Sequence, residues 1–409
     1  MQSKTLKYLS YGSTAVLIAM MMAASVIERL RGAETAQALI YHHPVFFALW
    51  AVAAVSGLAL LVRRVGWKRP ATLTMHAAFV LILVGALVTH LSGQSGSIHL
   101  RAGEPSATVE LEDGTALELP FALELKEFRI EYDPGTRHVA DYISELQVGD
   151  SGSSAGMTME TISMNHILKR DGYRFYQADY DEDLQGSILA VSHDPWGVGI
   201  TYAGYLLLAL SMLGFFFERD SAYRQTLRAL RPDRTPGRGR KGWTVVLCAA
   251  GAGLLAAWLL GAFPKGHLMP VLRSPMLYIH VIPMMVCYSI FSLLALTGIV
   301  GLCLREKAAE RLALIARSVL LPAVFLLALG TFLGAVWANI SWGNYWAWDP
   351  KETWALVTLL IYSFTLHGDV LPVMQKPRFF HLYCILAFVA VLITYFGVNL
   401  FLGGVHSYA

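Results

Sequence analysis

Nine stretches of about twenty mostly apolar residues recur along the 409-residue chain, each long enough to cross a hydrocarbon layer about 30 Å thick as a helix. They fall at about 8–27, 45–62, 72–92, 197–217, 243–263, 277–304, 318–338, 353–372 and 379–402. This pattern predicts a polytopic α-helical membrane protein of about nine transmembrane helices. Composition agrees: 55 % of residues are hydrophobic and 15 % charged, against about 25 % charged in an ordinary soluble domain. A cytosolic globular enzyme is excluded on that balance. The formal charge of +3 is too small to imply nucleic acid, so the lipid bilayer is the surrounding that the chain demands. Cys248, Cys287, Cys303 and Cys384 lie inside apolar runs without CxxC spacing, which points to neither a disulfide framework, a thiol pair nor a zinc site.

Lysine and arginine in the short connecting segments set the orientation. With the N-terminus inside, twenty of these residues fall in cytoplasmic segments and five in short outer ones. The first apolar run is followed by ERLRGAET, which lacks a convincing small-residue cleavage site, so it reads as an anchor. The stretch RALRPDRTPGRGRKG lacks the interleaved aromatics of an RNA-binding tail and sits where a stop-transfer cluster belongs. The expected organisation is N-terminal helices over 1–94, an extracytoplasmic β-rich domain over 95–195, a closing helix over 196–217, a cytoplasmic basic linker over 218–242 and a second membrane domain over 243–409. Within the polar block, ATVELEDGTALELP, YISELQV, GYRFYQADY and GSILAVS alternate as antiparallel strands do, with a turn at Asp113-Gly114.

Five of the ten tryptophans crowd between Trp337 and Trp354, in VWANISWGNYWAWDPKETWAL on the outer side. Trp337 and Trp354 stand at span ends, where an interfacial belt explains them. Trp342, Trp346 and Trp348 share a short loop with Gly343, and that much flat apolar area reads as a platform for a large planar ligand, with Gly343 allowing close backbone approach. In D-P-K-E, Asp349 is expected to N-cap the next helix, with Pro350 at N1 and Glu352 closing a capping box.

Histidine in or beside a membrane span is costly and therefore a functional candidate. His280 and His406 both flank the tryptophan loop on the outer side. His367 and His76 come out at matched depth, about 8–9 Å above the cytoplasmic surface at 1.5 Å per residue. Two depth-matched pairs suit axial ligation of haem iron, because each imidazole supplies one ligand and the flat macrocycle lies between helices. His90 and His381 are competitors for these places. His42, His43, His99, His138, His166, His193 and His267 fall in loops or in the polar block, where solvated histidines are expected.

WGNYWAWDPKETWAL resembles the WWD signature of the haem-handling superfamily that includes CcsA (ResC), CcmC and CcmF. LYIHVIPMMVCYSIF is similar to the CcsA segment bearing the first external haem-ligand histidine, here His280, and GVNLFLGGVHSY to the segment bearing the second, here His406. By the same resemblance His367 corresponds to a transmembrane haem ligand. Residues 72–205 resemble the CcsB (ResB) partner, with His76 at the position of the second membrane histidine. The polar block is much shorter than is usual for CcsB. The resemblance implies a fused CcsBA-type holocytochrome c synthase, a haem lyase of the bacterial inner membrane. Such a protein moves haem b, held between histidine pairs, to the outer side and joins its vinyl groups to the CxxCH thiols of an apocytochrome c. It further implies a thiol-reducing, thioredoxin-like partner with its membrane reductant. Trp342, Trp346, Trp348 and Asp349 would line the haem. No nucleophile or general acid is identifiable, so the role is positioning. Two other classes fit parts of the pattern: a cytochrome b-like electron-transfer subunit, and a haem exporter without ligase activity.

Overall fold

The computed structural model describes residues 2–150, 157–230 and 270–402, together with Gly251 and Leu255. Eight of the nine apolar stretches are helical, as α1 (Gln2–Arg31), α2 (Pro44–Val65), α3 (Pro70–Ser92), α4 (Gly197–Phe217), α5 (Pro275–Cys303), α6 (Glu306–Trp342), α7 (Pro350–Leu366) and α8 (Pro377–Leu392). The stretch at 243–263 lies, apart from Gly251 and Leu255, outside the described residues. Among the described residues, seven helices are long and apolar enough to cross a membrane. The eighth, α7, has 17 residues and is about 25 Å long. Five of these helices begin on proline, which supplies no N–H to a first turn that could not use one.

Residues 306–317, expected as a loop, are instead the first three turns of α6, a helix of 37 residues. Arg317 explains how the extension is held. Its guanidinium donates to the carbonyls of Met374 and Gln375 at 2.8 and 3.0 Å and lies 4.6 Å from the centre of the Phe380 ring.

Between α3 and α4 stands an eight-stranded antiparallel sheet, ordered β5-β4-β3-β2-β1-β8-β7-β6. Its strands are β1 (Gln94–Arg101), β2 (Pro105–Leu111), β3 (Ala116–Tyr132), β4 (Val139–Asp150), β5 (Thr158–Ile162), β6 (Leu168–Arg170), β7 (Tyr173–Tyr180) and β8 (Gly186–His193). Leu119, Phe121, Leu123 and Leu125 alternate along β3 and all point into one core, the period-two pattern of a half-buried strand. Gly114 turns the β2–β3 hairpin with φ 79°, and the Asp113 carboxylate accepts from the Thr115 N–H.

β1 leaves α3 and β8 enters α4, so the β1–β8 pairing draws the two helices together. Small residues then let their backbones touch: Gly85 faces Thr201, Gly204 faces Ile82 and Gly197 faces Thr89. α1 and α2 do not form a bundle of their own. Leu17, Met21, Tyr41 and Phe46 pack with Trp354 and Val357 of α7 and Ala390 of α8, so the two halves of the chain share one core.

Candidate functional site

Two histidine-bearing regions lie at opposite ends of the helices. At the end carrying Arg63, Arg64, Lys68 and Arg69, here the basic end, His76 of α3 meets His367, the residue that terminates α7. Their ring centres are 6.0 Å apart with planes at 86°. The flanking contacts join distant parts of the sequence. Arg64 donates to the Asp369 carbonyl at 3.1 Å, and Arg69 lies 4.0 Å from the Asp369 carboxylate. The Glu218 carboxylate accepts from the Ala71 N–H and the Thr72 hydroxyl, fixing the start of α3 one turn before His76. Tyr11 of α1 sets its ring edge against His367 at 5.8 Å.

Each imidazole is held by its own helix. Nδ1 of His76 donates to the Thr72 carbonyl at 2.9 Å, and Nδ1 of His367 donates to the Ser363 carbonyl at 2.7 Å. A carbonyl only accepts, so in the neutral ring the proton is on Nδ1 and Nε2 carries the lone pair, the tautomer that a metal ligand needs. Bonds of about 2 Å from a metal to each of two imidazoles, plus the half-width of each ring, put axial ligands roughly 6 Å apart centre to centre. The observed separation fits that requirement.

The opposite, sheet-bearing end carries the tryptophan-rich segment. Trp342 is the last residue of α6 rather than part of the loop, and Gly343 with φ 81° ends the helix. The close approach that Gly343 permits is to the protein itself: a Cβ there would lie 2.5 Å from the Tyr176 ring of β7. Tyr176 also donates to the Asn339 carbonyl at 3.1 Å. With its amide oriented to satisfy both ends, Asn339 accepts from Arg174 and Tyr202 and donates to the Gly343 carbonyl. The sheet is further fastened by Arg273, whose guanidinium makes two 2.7 Å contacts with the Asp133 carboxylate and is thereby held above its ordinary pKa.

Trp348 has φ 59°, a backbone conformation costing about 1–3 kcal/mol in a bulky residue. It is clamped there. Its ring stacks on Tyr41 at 4.6 Å and 12°, meets Phe46 edge-on at 5.2 Å and meets Trp346 edge-on at 5.7 Å. The Thr353 hydroxyl donates to the Trp348 carbonyl. Asp349 N-caps α7, accepting from the Lys351 N–H at 2.8 Å. The expected capping box does not close: Glu352 reaches past the cap and accepts from the Ala347 N–H.

Trp337 and Trp354, expected as an interfacial belt, are 2 % and 6 % exposed. Lipid-facing anchors they are not. Trp337 lies parallel to the His280 ring at 6.3 Å and takes Trp342 edge-on at 5.3 Å, while Trp354 fills the core beside α1. His280 of α5 bonds through Nδ1 to the Gly330 carbonyl at 2.7 Å, the same tautomer-fixing arrangement as at the basic end. His406 lies outside the described residues. The last described segment, π-helical over Ile393–Leu402, is tied to α7 by Lys351, whose ammonium donates to Asn399 at 3.0 Å.

The two competitors separate. His381 is buried, bonds to the Ala309 carbonyl and fills the space left by Gly301, a packing role. His90 sits at the sheet end of α3 with its ring 5.8 Å from that of His42. His42 is expected from sequence as a solvated loop histidine; the contact joins segments 48 positions apart and has no local signature. Among the described residues no group of three or more His, Cys, Asp or Glu is placed to hold a metal ion.

The family model described as Cytochrome C assembly protein matches residues 206–406, and that of the ResB-like family matches residues 47–194. Protein NrfI of Wolinella succinogenes is 39 % identical over 171 residues, which are 39 % of this chain and 19 % of NrfI. The cytochrome c biogenesis protein CcsA of Cyanophora paradoxa is 48 % identical over 83 residues, 20 % of this chain and 26 % of that protein, and CcsA of Guillardia theta is 49 % identical over 83 residues, 20 % and 27 %. The alignments thus span about a fifth to a quarter of these relatives. In these segments the chain is similar to proteins of cytochrome c assembly. The chain thus carries a segment similar to the ResB-like family and a segment similar to the cytochrome c assembly family in one polypeptide, an arrangement consistent with the fused CcsBA type.

Proposed function

We propose that the chain is a holocytochrome c synthase that takes up haem b at the basic end, passes it to the sheet end and presents it there to the CxxCH thiols of an apocytochrome c. The observation that carries this reading is the 6.0 Å separation of His76 and His367, each with Nδ1 tied to a backbone carbonyl and Nε2 left for iron. His280 and His406 hold haem at the other end, beside Trp342, Trp346 and Trp348, with Asp349 shaping the loop as the cap of α7. The basic end faces the cytoplasm of a bacterial inner membrane and the sheet faces outward, as the distribution of lysine and arginine favours.

In the reaction each cysteine S–H adds across one haem vinyl C=C. One S–C and one C–H bond form, and no net electrons are exchanged. The thiols must therefore arrive reduced, which is the place of a thioredoxin-like partner and its membrane reductant. This protein would contribute position: the imidazoles of His76, His367, His280 and His406 would hold the iron, and Trp342, Trp346 and Trp348 would bear on the flat ring, so that the vinyl groups are presented to the apocytochrome.

Coexpression with a CxxCH apocytochrome in a host without its own maturation system tests the reading. Covalent haem on the apocytochrome, lost when both CxxCH cysteines are replaced, is the expected result. Haem bound to this protein without any covalent product would instead favour an electron-transfer subunit, and free haem released outside would favour an exporter.

A further inference from the structure

α3 carries two histidines, His76 and His90, fourteen residues or about four turns apart, so they lie on nearly one face and about 21 Å from each other along the axis. His76 meets His367; His90 meets His42. The second pair has ring centres 5.8 Å apart with planes at 37°, almost the separation of the first. Both its imidazoles are exposed, whereas those of the first pair are half-buried. Phe47 lies 4.9 Å from the His90 ring and adds a flat apolar wall.

Both members are fixed to the tryptophan loop through their immediate neighbours. Tyr41, next to His42, stacks on Trp348, and the His42 N–H donates to the Gln37 carbonyl at 2.8 Å. Thr89, next to His90, accepts from the Tyr345 hydroxyl at 2.9 Å and donates to Asp194 at 2.6 Å. Asp194 in turn accepts the first N–H groups of α4. A pair of solvated loop histidines would have no such scaffold.

Ligand count decides what such a pair can hold. A zinc ion takes about four ligands and a structural zinc site supplies all of them from protein; among the described residues no third His, Cys, Asp or Glu joins these two imidazoles. An iron tetrapyrrole brings four nitrogens of its own and asks the protein for two axial ligands. We propose that His42 and His90 form a third, solvent-open station for haem, built against the WWD loop, where an iron tetrapyrrole is held by two imidazoles at the sheet end. The proposal rests on the haem-handling reading above and adds to it a site outside the four histidines assigned there.

The test uses the full chain, purified in lipid nanodiscs, with His76, His280, His367 and His406 all replaced by Ala, titrated with ferric haemin. One equivalent should bind with a low-spin bis-imidazole spectrum. Adding His42→Ala or His90→Ala should convert it to high spin and weaken binding at least about tenfold, or about 1.4 kcal/mol or more. His166→Ala, an exposed histidine of the sheet domain, should leave it unchanged. Absence of a low-spin species in the folded fourfold variant, or its persistence after His42 and His90 are both replaced, overturns the station. Should the fourfold variant fail to fold, the saturating haem-to-protein ratio of the otherwise unaltered chain replaces it: loss of one equivalent in His42→Ala/His90→Ala supports the proposal, and an unchanged ratio overturns it. Failure of the parent reading is separately visible, because there the fourfold replacement would leave native haem content and cytochrome maturation intact.

Discussion

The histidine pair at the basic end and the tryptophan region at the sheet end are built by different means. His76 and His367 owe their placement to helices: each ring hangs on the carbonyl four residues earlier, and the Arg69–Asp369 ion pair and the Glu218 cap set α3 beside the end of α7. At the sheet end the placement comes from aromatic packing and from side chains that cross between segments, with Trp348 held at positive φ by Tyr41, Phe46 and Thr353. Helix-built geometry tolerates change around the site but not of the ligands. Loop-built geometry spreads its dependence over many residues, so substitutions there should act on stability and function together.

The largest effect should come from the proposed ligands at the basic end, His76 and His367. His76→Ala or His367→Ala should lower cytochrome c maturation about a hundredfold or more, with membrane levels of the protein near normal, because neither ring bears the core. Immunoblotting beside a haem stain of the matured cytochrome checks this; near-normal maturation in both variants would show that the His76–His367 pair is not needed for maturation. Next come the buried indoles. Trp337→Ala or Trp354→Ala leaves a large cavity and should cost about 3–5 kcal/mol, read as earlier thermal unfolding of the detergent-solubilised protein. Even Trp→Phe should be felt at these positions, which distinguishes a core indole from a belt anchor.

Gly343→Ala should follow, at about 1–3 kcal/mol, since the residue is at φ 81° and its Cβ would strike Tyr176. Loosening of the sheet from α6, seen as faster proteolysis of residues 94–193, is the accompanying sign. Smallest of all is Asp349→Asn. Asparagine caps about as well as aspartate, so the change should stay within a few tenths of a kcal/mol and leave maturation near normal. A large loss with normal protein level would mean that the carboxylate charge, rather than the cap, is used at the site.

The helices were legible because membrane spans are written in runs of composition, and the sheet because alternation and a D-G turn are local patterns. Depth along a span follows from counting residues, which is why the sequence alone matches His76 with His367. What counting along single helices does not reveal is which faces meet. Trp342 and Gly343 read as loop because the helical signal of α6 fades into aromatics, yet the turn continues until a residue with positive φ stops it. The burial of Trp337 and Trp354 depends on α1, α2 and α5 packing over them, contacts distant in sequence. The His42–His90 contact joins a turn to a helix end and is equally non-local.

The most direct measurement is the ferric spectrum of the purified chain carrying His280→Ala and His406→Ala, compared with the same chain bearing His76→Met in addition. If His76 and His367 clasp the iron from both sides, the first is low-spin with two imidazoles and the second gains a sulfur-to-iron charge-transfer band. Identical spectra from the two chains would contradict the account.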